Sequence, residues 1–132
     1  MGSGVEGLIL DTNALSEAAE KNPAIIQILS AAPQLAIPVI ALGEYSAGIA
    51  RSRHGAYYRE WLDRLLADSL ILDVTNKTTH RYAAIVLELR QIGKPIPTND
   101  IWIAALCRQH NFPLLSRDRH FDVVSGVQRV EW

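Results

Sequence analysis

Apolar residues along the chain fall into short continuous runs that alternate with stretches where they recur every three or four positions. The first spacing marks buried strands and the second marks helices. Leu8-Ile9-Leu10 is the first run, it ends at Asp11-Thr12-Asn13, and the segment from Ala14 to about Glu20 favours a helix. Ala24, Ile25, Ile26, Ile28 and Leu29 predict a second helix over 24–31, stopped by Pro33, and Leu35-Ala36-Ile37 is a brief strand closed by Pro38. A helix is expected from about Val39 to Arg51, and another from Gly55, with Trp61, Leu62, Leu65 and Leu66 at helical spacing. Leu70 to Val74 reads as the third strand, and Thr78 or Thr79 as the cap of a helix reaching about Ile92. Gly93 ends that helix, Pro95 and Pro97 forbid its continuation, and Thr98 or Asn99 caps the next one, which runs through His110. Asn111 and Pro113 stop it, Leu114-Leu115-Ser116 is a fourth strand, and Val127 to Val130 supplies a fifth at the edge.

Short apolar strands alternating with helices predict an α/β fold of three layers, α/β/α. Its centre is a mainly parallel sheet of four to five strands, with helices on both faces. In such open sheets ligands bind beyond the carboxyl ends of the strands. Four acids are expected at or near that end. Asp11 follows strand one directly, Asp118 follows strand four, Glu44 lies in the helix after strand two, and Asp100 lies in the first turn of the helix before strand four.

Each acid also has an ordinary structural role open to it. Asp11 suits a turn or cap, Asp100 complements a helix dipole for roughly 0.3–1 kcal/mol, Glu44 suits a solvated helix face, and Asp118 between Arg117 and Arg119 suits a surface ion pair. Their neighbours favour more than this. The run Ile101-Trp102-Ile103-Ala104-Ala105-Leu106-Cys107 is too continuous for a helix with one wet face, so Asp100 sits deep and needs a partner. Glu44 has Gly43 beside it and Ala47 and Gly48 on its own face. Two helical glycines cost roughly 1 kcal/mol each relative to alanine, and a close approach by a backbone or a ligand is a reason to keep them.

If the four acids meet, two carboxylates about 4 Å apart repel by about 4 kcal/mol at an effective dielectric constant near 20. Shared protons or a cation relieve the repulsion. An oxygen-only cluster, with no Cys and no paired His, suits Mg²⁺ or Mn²⁺ better than zinc. Acid-held divalent ions on an α/β scaffold commonly act on phosphoryl groups, and hydrolysis of a phosphodiester follows as the natural chemistry.

Charge first counts against a nucleic-acid partner: thirteen Lys and Arg against fourteen Asp and Glu give −1, so any polyanion must be gripped locally. The distribution changes this. Residues 1–50 hold one base, Lys21, against five acids, whereas 51–132 hold twelve bases against nine acids. Arg51, Arg53, His54 and Arg59 form the densest basic group, which fits a solvated helix face or a phosphate contact, and Arg117 and Arg119 flank Asp118. Of the four histidines only His120 lies near the acids, and Trp61, Trp102 and Trp132 read as packing residues. At 132 residues and 48% hydrophobic content the chain can bury about two-thirds of its unfolded surface without staples. The single Cys107 excludes an intramolecular disulfide. No bilayer-spanning apolar stretch and no signal-peptide pattern is evident, so a cytoplasmic protein with no membrane partner is expected. Met1-Gly2-Ser3-Gly4 reads as an expression scar.

At this point the chain resembles the PIN-domain ribonucleases, and among them the VapC toxins of bacterial toxin–antitoxin pairs. Leu8-Ile9-Leu10-Asp11-Thr12-Asn13 resembles the family's opening strand and first acid, and Glu44-Tyr45-Ser46-Ala47-Gly48 its second motif. Pro97-Thr98-Asn99-Asp100-Ile101-Trp102-Ile103-Ala104-Ala105 is similar to the third, and Leu114-Leu115-Ser116-Arg117-Asp118-Arg119-His120-Phe121 to the fourth. The resemblance covers residues 5–132 as a single PIN-like domain. It implies that Asp11 and Asp100 bind an essential Mg²⁺ or Mn²⁺, with Asp118 completing or adjoining the shell. Glu44 would bind through water or help activate the nucleophile, and Thr12, Asn13 and Ser116 would orient the acids. The implied reaction is cleavage of RNA by water, leaving a 5′-phosphate and a 3′-hydroxyl. A VapB-type antitoxin and homodimerisation are implied as well. The turn before Glu44 lacks the family's usual Ser or Thr, and Asp122 competes with Asp118 as the fourth acid.

Other classes fit less well. A haloacid-dehalogenase-like phosphatase wants an acid where Asn13 stands, and a receiver domain wants an acidic pair and a late lysine that Asp73 lacks. A catalytically silent PIN-like binding or scaffold module is the non-enzymatic alternative.

Overall fold

The apolar runs become the middle of a sheet, and their order in it decides where the acids go. A computed structural model describes residues 6–132, so the residues read as a scar lie outside it. In chain order come β1 (Leu8–Leu10), α1 (Thr12–Ala19), α2 (Pro23–Ala31), β2 (Leu35–Pro38), α3 (Val39–Ala50) and α4 (Gly55–Ala67). Then follow β3 (Leu70–Leu72), α5 (Asn76–Ile92), α6 (Thr98–His110), β4 (Leu114–Leu115), a 3₁₀ turn (Arg119–Val123) and β5 (Arg129–Val130). The strands form one sheet in the order β3-β2-β1-β4-β5, and every pairing is parallel. With helices covering the sheet, this is the expected α/β/α architecture. Among the described residues no helix is long and apolar enough to cross a membrane.

β1 is the central strand, with Ile9 opposite Ala36 on one side and Leu114 on the other, which is why Ile9 and Leu10 are wholly buried. The chain leaves β1 toward β2, crosses back over the sheet between β3 and β4, and leaves β4 toward β5. The connections therefore diverge between β1 and β4 and open a crevice at their carboxyl ends. Asp11 and Ser116 are the residues that follow these two strands. α6 is buried at Ile101, Ile103, Ala104, Ala105, Leu106 and Cys107, as its unbroken apolar run predicts, and it carries Asp100 at its first turn. Cys107 is a free, buried thiol.

The structure corrects several local expectations. α1 starts at Thr12, not Ala14, because Asp11 Oδ1 accepts the Thr12 backbone N–H at 2.8 Å and shortens the turn to one residue. The helix expected to be capped by Thr78 or Thr79 starts at Asn76 with Thr75 as its cap residue. Thr78 Oγ1 accepts the Thr75 backbone N–H at 3.0 Å and donates to Gln109 Oε1, so this buried hydroxyl ties α5 to α6. Neither Thr98 nor Asn99 caps α6. Pro97 holds that place with an extended backbone, and its carbonyl accepts the Ile101 N–H at 3.1 Å. β3 stops at Leu72, and Leu70 and Ile71 are exposed because β3 is an edge strand.

The 3₁₀ turn was not expected. Phe121, wholly buried, anchors it, and the largely buried Arg129 secures it. Arg129 donates from Nε and Nη2 to Asp122 at 2.7 and 3.0 Å, from Nη1 to the Ser116 carbonyl at 3.1 Å, and to Glu131. Thr78→Val should lower stability by about 0.5–1.5 kcal/mol, because it removes the buried hydroxyl that pairs with the Thr75 N–H and with Gln109 Oε1; chemical denaturation measures this. A midpoint unchanged from the parent would show that the Thr78 link is dispensable.

Candidate active site

Asp11 is buried at the end of β1, and its carboxylate is held on both oxygens. Besides the Thr12 N–H on Oδ1, Oδ2 accepts Ser116 Oγ at 2.7 Å and Asn13 Nδ2 at 3.4 Å. A carboxylate has about four lone-pair sites, so capacity remains on the crevice side. Ser116 links the two strand ends, since its Oγ also accepts the Asp118 backbone N–H at 3.0 Å and lies 3.4 Å from Asn13 Nδ2. Asn13 Oδ1 in turn accepts the Arg117 N–H at 3.3 Å. The three polar residues around Asp11 thus lock its orientation and the start of the Asp118 turn together.

Asp118 caps the 3₁₀ turn, with Oδ1 accepting the His120 backbone N–H at 2.9 Å. That turn brings the His120 ring between two acids: Nδ1 lies 3.1 Å from Asp100 Oδ2 and 3.0 Å from Asp118 Oδ1. Asp100, Asp118 and His120 each offer one donor atom, and the three atoms lie within 4.8 Å of one another. Glu44 joins from α3. Its Oε1 accepts Thr12 Oγ1 at 2.8 Å and its Oε2 accepts Asn99 Nδ2 at 3.0 Å, so a neighbour of Asp11 and a neighbour of Asp100 hold it from either side.

The electrostatics are those of a site with excess negative charge. Burial raises the Asp11 carboxyl, with the charges of Asp118 and Glu44 adding to it, while the Ser116 and Thr12 hydrogen bonds act the other way. Asp100 is pushed up to about 6 by burial first, and by Asp118 and Asp11, against the hydrogen bond from His120. His120 is raised by its hydrogen bond to Asp100 and by the Asp118 charge. Among the described residues no Lys or Arg donates to these acids. Arg117 pairs with Glu17 at 3.6 Å and lies 4.6 Å over the Trp132 ring. Clustered carboxylate oxygens, partly buried and short of counter-charge, fit a hard divalent cation. Asp100 and Asp118, with His120, bring their donor atoms together, and Asp11 adjoins this group, coupled by charge to both acids.

No backbone packs closely on the glycines beside Glu44: a Cβ at Gly43 or Gly48 would meet nothing within 4 Å, so of the two motives expected for them the backbone approach falls away. They leave open surface instead, and Gly48 borders a groove of about 320 Å³ with Thr12, Glu17, Glu44 and Tyr58. Asp122, the competitor for the fourth acid, faces Arg129, whereas Asp118 adjoins Asp100 through His120. Arg51 and Arg119 are exposed. Arg51 ends α3 about 10 Å along the helix from Glu44. Sequence reasoning missed Asn99 as a partner of Glu44 and gave His120 no role. Only the third and fourth acid motifs pointed to them, by adjacency.

Comparison with known proteins agrees with this fold. A family model described as the PIN domain matches residues 8–127. Ribonuclease VapC2 of Rickettsia felis is 30% identical over 129 residues, covering 94% of this chain and 96% of that protein. Ribonuclease VapC5 of Mycobacterium tuberculosis is 26% identical over 100 residues, 74% of each. Among solved structures, VapBC2 from Rickettsia felis bound to a DNA fragment from their promoter aligns with a TM-score of 0.85 at 25% identity, over 96% of this chain and 98% of that one. FitAcB from Neisseria gonorrhoeae aligns at 0.80 and 25% identity, over 92% and 95%. Since the family match spans β1 to β4 and both strand ends that carry the acids, this chain belongs to the PIN-domain family and is of the VapC type.

Proposed function

We propose that this protein is a metal-dependent endoribonuclease that cleaves RNA phosphodiester bonds with an activated water, as the toxin of a toxin–antitoxin pair. One observation carries the reading. Asp100 and Asp118, with His120, bring donor atoms within 4.8 Å of one another, and Asp11, from a third stretch of chain, is coupled to both acids by charge, in a chain 30% identical to a protein named a ribonuclease. A Mg²⁺ or Mn²⁺ ion held there supplies a positive charge that polarises the phosphate and lowers the pKa of water.

The chain's own residues then have distinct tasks. Asp11, Asp100 and Asp118 hold the ion; Thr12, Asn13 and Ser116 fix Asp11 and the turn at Asp118 in place. Glu44, fixed by Thr12 and Asn99 and open to solvent, is placed to take a proton from the attacking water. Attack in line leaves a 5′-phosphate and a 3′-hydroxyl. Arg119 and Arg51 are exposed and contact the RNA backbone, with Arg117 contributing when it leaves Glu17.

The working unit is the domain 5–132, a cytoplasmic homodimer held inactive by a VapB-type antitoxin. Complexes described as VapBC among the similar structures support the partner. The experiment is incubation of antitoxin-free protein with RNA under Mg²⁺, Mn²⁺ or chelator, followed by mapping of 5′-phosphate ends. Cleavage with either ion and none with chelator is expected. No cleavage under either ion sinks the enzyme reading and leaves a scaffold module.

A further inference from the structure

His120 lies outside the acids that the family resemblance points to, yet its ring is the group nearest to two of them. We propose that His120 is itself a ligand of the metal ion, adding an imidazole nitrogen to the carboxylate oxygens and tuning the site toward Mn²⁺ over Mg²⁺. The inference rests on the metal-dependent reading above and deepens it.

The geometry carries it. Nδ1 lies 3.1 Å from Asp100 Oδ2 and 3.0 Å from Asp118 Oδ1. Neighbouring donors on an octahedral ion with bonds of about 2.1 Å stand about 3.0 Å apart, so the two observed separations have the length of two edges of such a shell. The ring is also held in register. Phe121 is wholly buried and fixes the 3₁₀ turn, Asp118 Oδ1 accepts the His120 N–H at 2.9 Å, and Ser116 Oγ anchors the Asp118 N–H at 3.0 Å. Arg129 fastens the other side of the turn through Asp122 and the Ser116 carbonyl. A long flexible side chain would need to be ordered by the metal, whereas this imidazole is ordered beforehand.

The choice of metal follows from the donor. Mg²⁺ prefers oxygen and keeps its waters, while affinity for nitrogen donors rises along the first-row divalent series. An imidazole therefore adds more to Mn²⁺ binding than to Mg²⁺ binding. The competing role for His120 is a positively charged ring that neutralises Asp100 and Asp118 and leaves when the ion arrives.

Pulsed electron paramagnetic resonance of Mn²⁺ bound to the full chain separates the two roles. Nitrogen hyperfine modulation is expected in the parent protein and should disappear in His120→Gln. Calorimetric titration should show Mn²⁺ affinity falling about tenfold or more in His120→Gln, with Mg²⁺ affinity changed by less than about threefold. The ring is half exposed, so the substitution leaves the core intact. Mn²⁺ bound without nitrogen modulation, or modulation that persists in His120→Gln, overturns the His120 assignment and leaves the carboxylate site standing. A parent chain that binds neither ion overturns both.

Discussion

Asp100→Asn is expected to lower metal-dependent RNA cleavage by about 10³-fold or more, and Asp11→Asn by a similar factor, while circular dichroism stays that of the parent. Each change keeps the volume of the side chain and removes the negative charge that a cation needs, so the loss falls on metal holding and on transition-state stabilisation. Asp11→Asn has a second route to failure. Ser116 Oγ and the Thr12 N–H both donate to Asp11, and an amide in its place can turn its NH₂ toward one of these donors. Glu44→Gln keeps one acceptor oxygen for Thr12 or Asn99 and turns an NH₂ toward the other donor, and its loss should be smaller because the residue works on water and not on the ion. Cleavage by Asp100→Asn at the parental rate would remove the proposed site altogether.

The second large effect concerns stability, and its sign follows from the same burial. The folded-state pKa of Asp100 is raised to about 6 from 3.8. The stability this contributes is fully present below about pH 4 and is lost as pH rises through about 6. Asp11 and His120 are raised too, and their contributions fade in the same direction. Against them stand Glu88 and Asp122, whose carboxyls are lowered by Arg108 and Arg129 and whose contributions vanish as pH falls through the acid range.

The metal-free protein should therefore melt highest near about pH 5 and lower at about pH 8, with Asp100 accounting for about 1 kcal/mol of the difference. Mg²⁺ or Mn²⁺ at about 100 times its dissociation constant should return about 2.7 kcal/mol at the higher pH. Asp100→Asn removes the buried charge, so this variant should be the more stable protein without metal at about pH 8, and it should gain little from the ion. Thermal melts at the two pH values, with and without metal, test all of this. A metal-free parent that is more stable at about pH 8 than at about pH 5 contradicts the assignment of excess negative charge to the crevice.

Much of the site is legible in the chain because its acids sit at punctuation marks. Asp11 ends an apolar run, Asp100 follows Pro97-Thr98-Asn99, and Asp118 follows another apolar run, so their places at strand or helix ends follow from local pattern. The caps are less legible. Thr78 and Thr79 are chemically similar candidates for one helix start, yet Thr75 takes that place while Thr78 reaches Gln109 on a different helix. Local propensity carries no information about that contact. The same holds for Gly43 and Gly48, whose cost suggests a close neighbour, although the space beside them is open.

The sequence by itself determined the alternation of strands and helices, the buried character of α6, and the four acids that face one end of the sheet. These depend on residue spacing and on the free energy of burying apolar runs, which act over a few residues at a time. Tertiary structure alone decided that β1 lies between β2 and β4, so that Asp11 meets Ser116 from a segment about a hundred residues away. It also decided that Asn99 turns to Glu44, that Asp122 belongs to Arg129, and that a 3₁₀ turn swings His120 between Asp100 and Asp118. Such contacts depend on which strands pair and on how a buried Phe121 seats a turn, and no periodicity along the chain records either.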